Sequence, residues 1–159
     1  MPHSIVLLPG DGIGPEVIAA ARLVLDTVAR RAGREMVIES CPIGGAALRQ
    51  GLPPLPPATL AACQRADGVL LGAVGDPAFD HLPSSERPEG GLLGLRKGLG
   101  VYANLRPARI WPGCEGAGPL KPEVARGSDL LIVRELTGGL YFGKPKRVWD
   151  APSGRRWAA

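Results

Sequence analysis

The chain has 159 residues, 45% hydrophobic and 21% charged, which leaves room for one domain with a real core or parts of two and excludes a wholly disordered chain. A net charge of +4 without any basic run, together with only two Tyr and two Phe, argues against nucleic acid as a partner. No stretch approaches the roughly 20 apolar residues of a membrane span, the N-terminal apolar run is too short for a signal peptide, and Cys41, Cys63 and Cys114 stand far apart without a C-x-x-C, which fits reduced thiols in a cytoplasm.

In chain order, Ser4 to Leu8 (SIVLL) reads as a strand closed by PGDGIG, and Pro15 to Arg31 as a helix with Val17, Ala21, Val24 and Val28 on one face. Pro15 suits the first helical position, Glu16 the positive end of the helix dipole, Arg30 and Arg31 its negative end, and Gly33 the stop. Glu35 to Ser40 (EMVIES) reads as a second strand, GGAALRQG as a turn of helix, Ala58 to Arg65 as a short helix after the proline-rich LPPLPP, and DGVLLGAV as a buried strand. The order β-α-β-α-β predicts an α/β fold, a mainly parallel sheet flanked by helices.

After Val74, GDPAFDHLPSSERPEGG holds turn formers throughout and separates the third strand from a short helix at Leu92 to Lys97. Ordered loops of this length often carry function. Val101 to Arg106 alternates so that Tyr102, Asn104 and Arg106 share one strand face, and Asp129 to Val133 (DLLIV) reads as a buried strand ending in Arg134. The segment KPKRVWDAPSGRRWAA has neither period and reads as an irregular exposed tail.

Among the motifs, GDGIG between a strand and a helix has two readings, a tight turn or a loop whose N–H groups approach a phosphate. Its spacing is G-x-G-x-G, and Pro15 removes a helix N–H. Asp76 and Asp80 stand four apart, but Pro77 between them favours a solvated loop over a metal pair. His3 and His81 are the only histidines, which leaves hydrolase triads and histidine zinc sites without material.

Arg134 closes an apolar strand, and open α/β sheets gather ligands at the carboxyl ends of strands; Arg106 ends the polar face of another strand and Arg96 a short helix. One such arginine is ordinarily a solvated surface charge; three suggest a substrate with more than one carboxylate, because the guanidinium fork matches that group. Tyr141 is a packed aromatic or a proton donor.

Read together, LPGDGIGPEV, GGAAL, VLLGAVG, GLLGLRK, ANLRPA and VRELTGGLYFG resemble the 3-isopropylmalate dehydrogenases, a branch of the β-decarboxylating dehydrogenases, over about residues 4 to 145. The resemblance implies their fold, incomplete in this chain. Residues 1–100 would be the N-terminal part of the first α/β domain, 101–145 the start of a second, dimer-forming domain, and 146–159 an irregular tail from truncation or a slipped reading frame. It implies oxidation of 3-isopropylmalate by NAD with Mg2+ or Mn2+, then loss of carbon dioxide, in leucine synthesis.

By the same resemblance, Arg96, Arg106 and Arg134 hold the dicarboxylate substrate, Leu92 and Leu93 face its isopropyl group, and Tyr141 helps protonate the enol. An apolar leucine pair disfavours the third carboxylate of an isocitrate-type substrate. The cofactor-contacting loop maps onto Asp76, Pro77, Ala78, Phe79, Asp80, His81, Leu82 and Pro83, with Glu89; Asp76 and Ala78 replace the Gly and Lys of the common GGPK pattern. The metal-binding aspartates and the catalytic lysine are expected in a C-terminal half not present in this chain, so this chain is expected to supply no metal ligand and to be inactive and marginally stable alone. The complete enzyme is expected to be a cytoplasmic homodimer. The alternatives are a sister enzyme for homoisocitrate, tartrate or alkylmalate, or a non-catalytic binding fragment.

Overall fold

A computed structural model of the chain describes residues 2–136 and the backbone of two short strands at 148–150 and 156–158. The chain divides into two compact units, Met1–Leu99 and Gly100–Ala159.

In the first unit, β1 (His3–Gly10) lies between β2 (Met36–Ser40) and β3 (Gly68–Ala73), and both pairings are parallel. Parallel neighbours need crossovers, which are supplied by α1 (Gly14–Arg31) between β1 and β2 and by α2 (Gly45–Leu48) and α3 (Pro57–Arg65) between β2 and β3. Val6 and Leu8, on one face of the central strand, enter a core with Ile43, Ala62 and Cys63 of the second crossover and Leu95 of α4 (Pro88–Gly98). Leu8 is fully buried, a placement that contributes roughly 1.5–3 kcal/mol for a side chain of its size.

The local signals for α1 hold: Pro15 is in the first turn with Glu16, Arg30 and Arg31 are in the last, and Gly33 follows at φ +60°. Its expected apolar face does not. Gly14, Ile18 and Ala29 are the buried residues, while Val17, Val24 and Val28 face outward, Val24 at 63% exposure. The reason is where the helix starts. A Cβ on Gly14 would lie 2.0 Å from the Pro9 carbonyl oxygen and 2.8 Å from the Ala73 nitrogen. Gly14 is therefore the point of closest approach to the strands, and it rotates its own stripe, residues four and fifteen positions on, toward the sheet.

In the second unit, β4 (Ala103–Arg109) and β5 (Asp129–Glu135) form an antiparallel pair, with the short α5 (Pro122–Ala125) before β5. The expectation of a buried DLLIV strand is corrected. Leu130, Leu131, Ile132 and Val133 are 52–60% exposed, and β5 has β4 as its one paired neighbour among the described strands. DGVLLGAV is likewise half-buried throughout β3.

The irregular tail is corrected as well. β6 (Val148–Asp150) and β7 (Arg156–Ala158) pair antiparallel, Val148 opposite Ala158. Among the described residues no helix is long and apolar enough to cross a membrane.

The contrast between the strands is testable by urea unfolding of single variants. Leu8→Ala is expected to cost roughly 2–5 kcal/mol, as for truncation in a packed core, and Leu131→Ala less than about 1 kcal/mol. Equal losses would show that β5 is buried in solution.

Candidate functional site

GDGIG follows β1, and its Asp11 is the most consequential side chain in the first unit. Asp11 is 3% exposed. Its carboxylate accepts hydrogen bonds from the backbone N–H groups of Gly45 at 2.9 Å, Ala46 at 2.7 Å and Gly75 at 3.0 Å, and its own N–H donates to the Ala73 carbonyl at 2.7 Å. A buried charge requires such compensation. The free N–H groups at the start of α2 and in the turn after β3, which would otherwise suit a phosphate, are taken by this internal anion. Within GDGIG itself the Asp11 N–H is taken by Ala73 and the Gly14 N–H donates to the Asp11 carbonyl at 2.8 Å, the bonds of a tight turn; neither Asp11's role nor its partners follow from the motif's spacing.

The segment after β3 is built on that turn. Asp76 caps a 3-10 turn at Pro77–Phe79, its Oδ1 accepting from the Ala78 N–H at 3.1 Å. Its Oδ2 forms an ion pair with Nη2 of Arg49 at the end of α2, and the Asp76 side chain is only 11% exposed. The expected solvated loop therefore applies to Asp80, which is exposed, and not to Asp76. The Arg49 guanidinium carbon also stands 5.7 Å from the centre of the Phe79 ring, within cation–π range. Pro77, Ala78, His81, Pro83 and Glu89 are exposed, and Phe79 and Leu82 half-buried. At the far end, Arg87 Nε donates to the Leu82 carbonyl at 2.7 Å. Nothing in the local sequence marks Arg49 beyond its place as a basic residue closing GGAALR.

Arg96 lies in the last turn of α4. Leu92 and Leu93, four and three residues before it, share its side of the helix, and all three are half-buried. Pro88, Gly91 and Leu95 take the buried side. The Arg96 side chain makes no hydrogen bond or ion pair among the described residues.

In the second unit, Asn104 of β4 lies opposite Arg134 of β5 and Arg106 opposite Ile132. Opposed residues share a face and strand side chains alternate, so Arg106 and Arg134 are diagonal neighbours on one face of the pair. Arg106 Nε donates to Asn104 Oδ1 at 2.6 Å. The pair thus carries two guanidinium-bearing residues on one face. Tyr141 lies outside the described residues. Among the described residues no three His, Cys, Asp or Glu side chains are grouped to hold a metal ion.

A concavity of about 390 Å³ in the second unit is lined by Arg109 and Arg126 but also by Glu115 and Asp129, so its charges balance. The three cysteines are free, Cys41 and Cys63 buried and Cys114 exposed. Burial, then the Glu39 carboxylate, which accepts the Cys41 thiol at 3.5 Å, pushes Cys41 up from 9.0 to about 11, and burial raises Cys63.

The isocitrate/isopropylmalate dehydrogenase family matches this chain over residues 4–157, beyond the expected limit near residue 145. A 3-isopropylmalate dehydrogenase of Synechococcus is 56% identical over 97% of this chain and 43% of its own length. That of Nitratidesulfovibrio vulgaris is 56% identical over 93% of this chain and 42% of its own. Among solved structures, the β-decarboxylating dehydrogenase of Thermococcus kodakarensis aligns with a TM-score of 0.65 at 32% identity, covering 99% of this chain and 40% of that one. The isocitrate dehydrogenase of Methylococcus capsulatus aligns at 0.67 and 29% identity, covering 99% and 42%. The chain thus spans about two fifths of the length of the curated relatives it matches.

Two outcomes are expected from this geometry. Asp11→Ala should destabilise the chain by about 3–5 kcal/mol, because three backbone donors lose a charged acceptor. Amide exchange at Gly45, Ala46 and Gly75 should rise first, and unchanged exchange there would refute the role given to Asp11. A chromogenic disulfide reagent at pH 8 should titrate Cys114 rapidly and the other two thiols only on unfolding, and folded-state stability should fall as pH rises through the window from 9.0 to about 11, where the unfolded chain ionises Cys41 before the folded chain does.

Proposed function

The chain belongs to the isocitrate/isopropylmalate dehydrogenase family, and from that premise we propose that it supplies the N-terminal, substrate-gripping part of an enzyme that oxidises and decarboxylates 3-isopropylmalate in leucine biosynthesis. The observation that carries this reading is the 56% identity to a 3-isopropylmalate dehydrogenase over 97% of this chain.

In the proposed reaction, Arg106 and Arg134 take the substrate carboxylates together with Arg96. These groups stay charged at any physiological pH, so they bind the dianion and orient its hydroxyl carbon. Leu92 and Leu93 receive the isopropyl group; their apolar surface makes a third carboxylate costly there. The 76–83 segment with Glu89 contacts NAD, which when bound accepts the hydride from the hydroxyl carbon. Tyr141 delivers a proton to the enol carbon after carbon dioxide leaves. The complete protein, on this reading, is a cytoplasmic homodimer whose divalent metal is held by residues beyond the part described above.

The test joins this chain to the C-terminal remainder of the Synechococcus relative and follows NADH at 340 nm. Turnover of 3-isopropylmalate is expected, with little from isocitrate. Arg96→Ala and Arg106→Ala should each lower kcat/KM by roughly 10–10²-fold, the loss expected when a charged hydrogen-bond pair to substrate is removed. A folded fusion that prefers isocitrate or another malate analogue would transfer the assignment to a sister enzyme.

A further inference from the structure

Asp76 brings a negative charge to the base of the segment that the proposed function assigns to cofactor contact. It sits in a crowded place. A Cβ on Gly45 would lie 2.9 Å from Asp11 Oδ1 and 2.9 Å from both Cβ and Oδ2 of Asp76, so two carboxylates converge on one glycine. Asp11 is neutralised by three backbone N–H groups. Asp76 has the Ala78 N–H and the guanidinium of Arg49.

Arg49 is well anchored for this task. It ends α2, whose first N–H groups are held by Asp11. From there it meets the segment at two points, the Asp76 carboxylate and the Phe79 ring. The other hydrogen bonds between Asp76 and Leu82 are local: Phe79 N–H to Asp76, Asp80 N–H to Pro77 and Leu82 N–H to Phe79. Among the described residues, side-chain polar ties from outside the segment come from Arg49 at its start and Arg87 at its end.

We infer that Arg49 is a positioning residue for the 76–83 segment: it holds the 3-10 turn against α2 and cancels the Asp76 charge, so that the segment can face an anionic dinucleotide. The dinucleotide part of this inference rests on the proposed function; the conformational part does not.

The experiment uses the 159-residue chain itself. Hydrogen–deuterium exchange is followed at residues 78–82 and, as an internal reference, in β1. Arg49→Ala should raise exchange at 78–82 by ~10-fold, with β1 unchanged, as for a local opening. Arg49→Lys should keep part of the protection, and the exchanged pair Arg49→Asp with Asp76→Arg should restore most of it. NAD binding by titration calorimetry completes the test. Arg49→Ala should weaken it ~10-fold, and Arg49→Ala should cost nothing further once Asp76→Gly has removed the charge.

Unchanged exchange at 78–82 in Arg49→Ala, or a loosening of β1 equal to that of the segment with no recovery in the exchanged pair, would overturn the inference. Equal NAD affinity in wild type and Arg49→Ala would overturn the charge-cancelling part. Local loosening as expected in a chain with no measurable NAD binding would sustain the positioning by Arg49 and count against this chain's assignment to cofactor contact.

Discussion

The buried carboxylate of Asp11 is the constraint on which the arrangement of the first unit depends. An ion removed from water to 3% exposure is stable only if donors surround it. Here these are three amides drawn from two segments distant in sequence, 34 to 64 residues away. Satisfying one charge therefore sets the turn after β1, the start of α2 and the turn after β3 in a single geometry. Gly45 is required at the meeting point, since any side chain would collide with the carboxylates.

From this point the structure extends in one direction. Because α2 is fixed at its N-terminus, Arg49 at its other end is aimed at Asp76 and Phe79. An aspartate at the start of this segment would otherwise place an unscreened charge beside Asp11. The ion pair makes that residue compatible with its surroundings.

The second unit obeys a different balance. Its β4–β5 pair shows two arginines on one face and an apolar β5 largely open to solvent. A near-continuous apolar run such as DLLIV is the pattern typical of strands covered on both faces. The exposed leucines, isoleucine and valine are thus surfaces suited to burial, while the arginine face is suited to an anion.

Much of this was determined by the sequence alone. The strands at SIVLL, EMVIES and VLLGAV, the caps of α1, the shared face of Asn104 and Arg106, and the arginines themselves follow from periodicity, end effects and residue chemistry, all of which act between near neighbours. What only the tertiary structure decided was which apolar stripe of α1 meets the sheet, that DLLIV is open, that the last segment pairs as strands, and that Asp11 and Arg49 hold the candidate cofactor segment. Each of these depends on a partner many residues away, or on the lack of a covering layer, and neither leaves a mark in local spacing. Gly14's contact with Pro9 and Ala73 selects the stripe, and Asp11's need for donors selects the turns, because packing and charge burial are settled only where distant segments meet.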